Sequence, residues 1–362
     1  MRILHTADNH IGREEFAKID KKTGMNARGL DYLESFKNIC KIALNERVDL
    51  FLIAGDMFDN PDPNQYYIIE SMRMLKKVSK AGITTLIING NTDLSKKRNP
   101  LAYLAEIENV YVTTKPDTFI LGSYDIVCVP YSSDNFTQRL DQALSTSPSE
   151  NKILVSHIPL NNAIQGTEAY ENIQPIDVSL IPDRFIYSAL GHMHKFQQIE
   201  YTSPIFYSGA SERFNFSEEG EDKYALLVEV DGTVSVKPYR LPVRPMHSFD
   251  IDCLNLKANE ILSKIDTIVE DGSENIPNAI IKLLLYNLDP NEKKNLAIDK
   301  IKEKFNASFE CIIDIKIKGE EPKPKIEKLP MFEEELSNRL KKLSQKSKVL
   351  EISKQVFGGI SK

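Results

Sequence analysis

Apolar and polar positions alternate in blocks along the first 244 residues. The short, nearly unbroken apolar runs RILHTAD, VDLFLIAGD, ITTLIING, YDIVCVP, KILVSH and FIYSALGHMH read as buried strands that open into loops. Between them, Tyr32–Arg47 and Gln65–Ala81 carry apolar residues at the 3.6-residue spacing of helices lying on a sheet. Strand, helix, strand in repetition predicts a layered α/β core, whose ligands collect at the carboxyl ends of the strands. From residue 245 to 318 the rhythm changes. MHSFDIDC, NAIIKLLLYN and CIIDIKIK read as strands separated by the helical stretches NEILSKIDTIVED and NEKKNLAIDKIKEKF, a small β-α-β-α-β unit, and the prolines of LPVRPM mark the boundary before it. GEEPKPKIEKLP, residues 319–330, reads as a charged linker. Residues 331–362 then form two amphipathic stripes: Phe332, Leu336, Leu340 and Leu343, followed by Val349, Ile352, Val356 and Ile360. Helices this short bury little alone, so they either dock on their own chain or lie in the groove of a partner.

Composition narrows the class. The chain has 362 residues, 41% hydrophobic and 27% charged, which fits a folded protein and excludes wholesale disorder. No run approaches the ~18–20 apolar residues of a membrane span. MRILHTADNH is polar where a signal peptide would be apolar, so the expected location is the cytoplasm. Cys40, Cys128, Cys253 and Cys311 lie far apart without a CxxC pair and read as small hydrophobes. The net charge is −6; from Gly319 onward 10 basic side chains face 7 acidic ones, a net of +3, which leaves −9 on residues 1–318. A core so acidic grips a phosphate backbone only if bound cations or a partner supply positive charge.

Four of the six histidines sit in strand-end motifs: Asp8-Asn9-His10, Gly55-Asp56, Gly90-Asn91-Thr92-Asp93, Ser156-His157 and Gly191-His192-Met193-His194. Singly, each has an ordinary explanation. An Asp after a strand is usually a turn or cap residue, and a lone His is more often hydrogen-bonded structure than a ligand. Together they place Asp, Asn or His beside small residues at five strand ends that a parallel sheet would gather into one crevice. Asp8, His10, Asp56, Asn91, His157, His192 and His194 are too many for one tetrahedral zinc. They suit two divalent ions sharing a carboxylate, with manganese, iron or zinc all compatible. His5 is either a buried, satisfied histidine or a group behind the site; His247 reads as structural.

The order DxH, GDxxD, GN, H, GHxH resembles that of the calcineurin-like metallophosphoesterases. HTADNHIG, GDMFDNPDP, ALGHMHK and YSGASERFNFSE narrow the resemblance to the SbcD-type nucleases of DNA double-strand-break repair, over the whole chain. The resemblance implies a four-layer α/β/β/α core (1–244), a capping domain (245–318) and a C-terminal helical segment that binds an SMC-like ABC ATPase. It also implies a homodimer built through core helices, and manganese-dependent exonuclease and endonuclease action on DNA ends, hairpins or overhangs. Asp8, His10 and His194 would hold one ion, Asn91, His157 and His192 the other, with Asp56 bridging. Such a pair clamps the attacking and leaving oxygens of an in-line displacement at phosphorus.

One position departs from the family pattern. Where the motif normally reads GNHD or GNHE, this chain has Thr92, and threonine cannot donate a proton near neutral pH. Loss of a positioned acid–base group typically costs ~10²–10⁴ in rate, so weak cleavage with intact metal binding is the expectation. Three explanations stand side by side: an introduced substitution that traps metal or DNA, natural divergence, or compensation by Asp59 or Asp93. Two rival readings follow. One is a phosphatase or phosphodiesterase acting on another substrate, against which the extra domain and tail speak. The other is a catalytically silent scaffold that binds metal and DNA ends and regulates the ATPase.

Overall fold

A strand such as Leu50–Ala54, buried at every position, is stable only where a sheet is covered on both faces, and the fold supplies that cover twice. The computed structural model describes residues 1–95, 97–164 and 173–319. The linker beyond Gly319 and the 331–362 helical segment lie outside the described residues.

In chain order, β1 (Arg2–Thr6), α1 (Ala27–Glu46), β2 (Leu50–Ala54), α2 (Gln65–Lys80), β3 (Thr84–Ile88), α3 (Leu101–Leu104) and β4 (Val110–Thr113) come first. They are followed by β5 (Asp117–Leu121), β6 (Tyr124–Val129), α4 (Phe136–Leu144), β7 (Lys152–His157), β8 (Phe185–Gly191), β9 (Gln197–Ile199) and β10 (Ile205–Tyr207). β11 (Lys223–Asp231) and β12 (Thr233–Leu241) form a hairpin. One six-stranded sheet has the order β12-β11-β1-β2-β3-β4, the other β5-β6-β7-β8-β10-β9. Both are mixed: β1 to β4 run parallel, whereas β11 returns antiparallel to β1 with Leu4 opposite Leu227.

Alternation of side chains along the strands builds the layers. Ile3, Leu50, Leu52, Leu86 and Ile88 point to a core shared with Ile126, Cys128, Ile153, Val155 and Ala189 of the second sheet. Leu4, Phe51, Ile53 and Ile87 point the other way, onto Leu33, Phe36 and Ile39 of α1 and Leu75 and Val78 of α2. Val127, Val129, Leu154 and Leu190 pack outward on Phe136 and Leu140 of α4. The result is the four-layer α/β/β/α arrangement. A single parallel sheet, the simplest reading of the strand periodicity, is not what gathers the motifs. β1, β2 and β3 belong to one sheet and β7 and β8 to the other, so two facing sheets bring the ends together.

Residues 246–317 form a third sheet, β13 (Met246–Asp252), β14 (Ile280–Leu288) and β15 (Glu310–Ile317), all parallel. α5 (Ala258–Asp271) and the short α6 (Pro290–Asn295) and α7 (Ile298–Lys304) pack on it through a separate apolar cluster that includes Ile261, Ile265, Leu283, Leu285 and Ile301. The single helix expected over NEKKNLAIDKIKEKF is two, because Leu296 leaves the helical region to bury its side chain. Arg244 ties this sheet to the core. Its guanidinium reaches Asp31 at 2.5 and 2.6 Å, donates to the Asn278 carbonyl at 2.8 Å and lies 3.8 Å over the Phe309 ring.

Candidate metal centre

Each strand end delivers its side chain through a turn the sequence makes possible. Asp8 and His10 follow β1, Asp56 follows β2, Asn91 follows β3, His157 ends β7, and His192 and His194 follow β8. All are buried except Asn91, which is half-buried. Asp8, His10, Asp56 and His192 have φ of 50°, 42°, 47° and 97°, backbone that costs free energy unless the surroundings impose it. Gly55, at φ 93°, leaves room for the imidazole of His157, because a Cβ there would lie 2.2 Å from its Nδ1. A Cβ on Gly90 would lie 2.0 Å from Asp56 Oδ1, so the two loops meet only because this residue has no side chain.

Two overlapping groups of donors result. In one, ligand atoms of Asp8, His10 and His194 lie within 4.8 Å of one another; in the other, those of Asp8, Asp56 and His157 do. His157 Nε2 lies 3.0 Å from Asn91 Oδ1, 3.4 Å from Asp56 Oδ2 and 3.8 Å from Asp8 Oδ1. His192 Nδ1 is 3.3 Å from the same Asn91 oxygen, and His10 Nε2 is 3.6 Å from Asp56 Oδ2. The His192 backbone N–H donates to the Asp8 carboxylate at 3.0 and 3.1 Å. All seven sequence-predicted ligands therefore face one small volume.

The electrostatics fit a cation. Burial raises the Asp8 carboxyl pKa against the lowering influence of His157, whereas at Asp56 the pull of His157 and His10 overcomes burial and holds it well below the usual carboxylate range. Burial disfavours a charged His157, yet Asp56 and Asp8 outweigh it and push its pKa up to about 10. His192 goes the other way, to about 3, because burial and the nearby His157 both oppose its charge. His10 Nε2 is buried without a hydrogen bond, while its Nδ1 faces Asp59 at 3.2 Å. Buried carboxylates that draw protons onto neighbouring imidazoles, beside an imidazole nitrogen with no hydrogen bond, are what a divalent ion would satisfy by taking the protons' place.

Position 92 touches the centre through its backbone and has its hydroxyl engaged elsewhere. The Thr92 N–H donates to Asp56 Oδ1 at 2.9 Å and its hydroxyl to the Phe58 carbonyl at 2.7 Å. Asp93 braces the site: its two carboxylate oxygens accept from the N–H groups of Phe58 and Gly90, at 2.9 and 2.8 Å, which ties the two loops together. Burial, aided by Asp56, raises the Asp93 pKa to about 7. Asp59 lies 3.2 Å from His10 Nδ1 and 3.4 Å from Arg13. His5 is away from the ligands; its Nδ1 meets the Tyr187 hydroxyl at 2.9 Å.

Sequence reading missed Glu218, Lys223 and Phe214. Phe214 packs its ring 4.6 Å from that of His10 and 4.2 Å from that of His194. Glu218 lies 3.5 Å from His194 Nδ1. The signal available was the position of SERFNFSE just after the fifth motif, where a glutamate reads as solvated.

A family model described as calcineurin-like phosphoesterase matches residues 1–196, a span that contains every ligand candidate. The chain is 29% identical over 279 residues to the DNA double-strand break repair protein Mre11 of Sulfurisphaera tokodaii, covering 74% of this chain and 70% of that one. Against the protein of the same name from Methanocaldococcus jannaschii it is 27% identical over 300 residues, 74% and 73% of the two chains. A component of the SbcCD nuclease of Staphylococcus saprophyticus is 25% identical over 284 residues, 69% and 71%.

Proposed function

Since the chain belongs to the calcineurin-like phosphoesterase family, we propose that it is a two-cation DNA nuclease of double-strand-break repair, hydrolysing phosphodiester bonds at DNA ends. The observation that carries this reading is the meeting of seven His, Asp and Asn side chains from five strand ends in one buried volume; the repair proteins and the nuclease component matched over about 70% of their length support it. Asp8, His10 and His194 would hold one ion, Asn91, His157 and His192 the second, and Asp56 would bridge. When bound, the pair, manganese in our reading, supplies Lewis acidity toward the phosphate and a nucleophile at neutral pH.

The chain's own residues do the rest. Gly55 and Gly90 let the loops close on one another, Asp93 bolts the Asp56 loop to the Asn91 loop, and Phe214 keeps water from His10 and His194. Residues 245–318 would cap the site, and the segment from residue 331 would bind an SMC-like ATPase. Homodimerisation through core helices is supported by Ile69 on α2 and Tyr103 on α3, whose side chains are exposed beside a groove of about 460 Å³. The locked Thr92 hydroxyl favours weak cleavage, and with it the scaffold as second reading.

The test is manganese-dependent cleavage of a labelled DNA duplex by this chain and by Thr92→His. A gain of roughly 10²–10⁴ supports both the nuclease reading and the cause of its weakness. Two inert proteins that each bind two ions bring the scaffold forward. Equal activity of the two sinks the role given to position 92.

A further inference from the structure

The four imidazoles of the centre are backed unequally. His157 turns Nδ1 to the Ala54 carbonyl at 2.9 Å, a neutral partner, and its side of the centre also includes the neutral amide of Asn91. Across the centre, His10 Nδ1 lies 3.2 Å from an Asp59 carboxylate oxygen and His194 Nδ1 lies 3.5 Å from Glu218 Oε1. Glu218 is itself 2% exposed. Its second oxygen is held by Lys223 Nζ at 2.7 Å and by the Phe214 N–H at 3.1 Å. Lys223, 1% exposed, also donates to the carbonyl of His194 at 3.1 Å. One buried ammonium thus grips both the carboxylate behind His194 and the backbone of His194. Keeping an ion pair out of water rarely gains stability over an apolar pair of the same size, which points to a role beyond packing.

Resting on the two-cation reading above, we propose that Glu218 is a positioning residue that makes the Asp8–His10–His194 side the tighter of the two cation sites. It holds the Nδ1 edge of His194, which leaves Nε2 as the nitrogen available to the centre, and Asp59 does the same for His10. A carboxylate behind an imidazole fixes the tautomer and raises the basicity of the other nitrogen, and losing it costs roughly 10–100-fold in metal affinity. Among the described residues, the Asn91–His157–His192 side has a carbonyl rather than a carboxylate behind His157, so it fills second.

The experiment is a titration of the full-length chain with manganese(II), the free ion followed by electron paramagnetic resonance. Wild type takes up two ions in two steps. Glu218→Gln weakens the tighter step by roughly 10–100-fold and leaves the weaker one in place. Because that change leaves Lys223 with only the half-buried Glu221, at 3.4 Å, as its counter-charge, the double variant Glu218→Gln with Lys223→Met removes the ammonium as well and gives the same shift. Asp59→Asn, at a more exposed carboxylate, shifts the same step. If two ions bind and the Glu218 variants leave both steps unmoved, or move only the weaker, the proposal is overturned and the two-cation reading stands. Uptake of fewer than two ions by wild type overturns that reading and the proposal with it.

Discussion

The large sheets and the small one both place helices on parallel strands, yet their loops differ in kind. Around β13, β14 and β15 the non-glycine residues with positive φ are Asn255, Asn278 and Asn287, the residue type that enters this region most readily. At the ends of β1, β2 and β8 they are Asp8, His10, Asp56 and His192, and the last, at φ 97°, lies beyond the left-handed helical region altogether. One set of loops makes turns with the residues that suit turns. The other holds charged, buried side chains in positions their backbones disfavour, and surrounds them with glycines, a bolting carboxyl at Asp93 and a buried Lys223–Glu218 pair. Shared architecture does not carry chemistry; the loops do.

The comparison breaks first if the two regions turn out to be coupled. Leu283→Ala empties part of the small sheet's core and should lower unfolding free energy by about 2–5 kcal/mol. Manganese affinity, measured by the same titration, should stay unchanged; a weakened isotherm would mean the centre depends on the small sheet.

The next test uses a buried histidine that only the large sheets possess. Burial lowers the pKa of His5 to about 3, so the folded chain keeps it neutral while the unfolded chain protonates it below about 6.5. Its contribution to stability is complete above that pH and drains away as pH falls toward 3, by up to about 1.4 kcal/mol per unit. His5→Gln, which can still meet the Tyr187 hydroxyl, should flatten that part of the stability–pH curve; an unchanged slope would show that other groups set acid lability.

The smallest effects carry the sign of the comparison. His192→Gly relieves a strained backbone and should raise metal-free stability by about 1 kcal/mol while removing one manganese step. Asn287→Gly loses the hydrogen bond from its amide to Asp252 at 2.9 Å and should cost about 0.5–1 kcal/mol. Chemical denaturation of both variants without metal checks this; the same sign in both would erase the distinction.

What the sequence made legible follows from the same contrast. Apolar runs that stop at Asp8, Asp56, Asn91, His157 and His192 mark five strand ends that share donor side chains, a coincidence that single turn or cap roles do not account for. The start of α1 lies five residues before the apolar stripe at Tyr32, because Asn26 caps it and the first turn, Ala27-Arg28-Gly29, is buried through Arg28 rather than through apolar groups. The role of Glu218 is invisible in one dimension. Lys223 lies close to it along the chain, but no local pattern tells that the pair stands behind His194, a meeting set by the return of the chain into β11.

That return of β11 also sets a clock on synthesis. β1 lies inside its sheet with β2 on one side and β11 on the other, and roughly 200 residues separate Asp8 from Lys223. At ~5–20 residues per second, Asp8 leaves the ribosome some 10–40 s before the strand that completes its sheet. For most of that interval the nascent chain carries Asp8 and His10 without His194, and for all of it without the complete pair behind His194, so the buried donor cluster is finished only once β11 has begun to form.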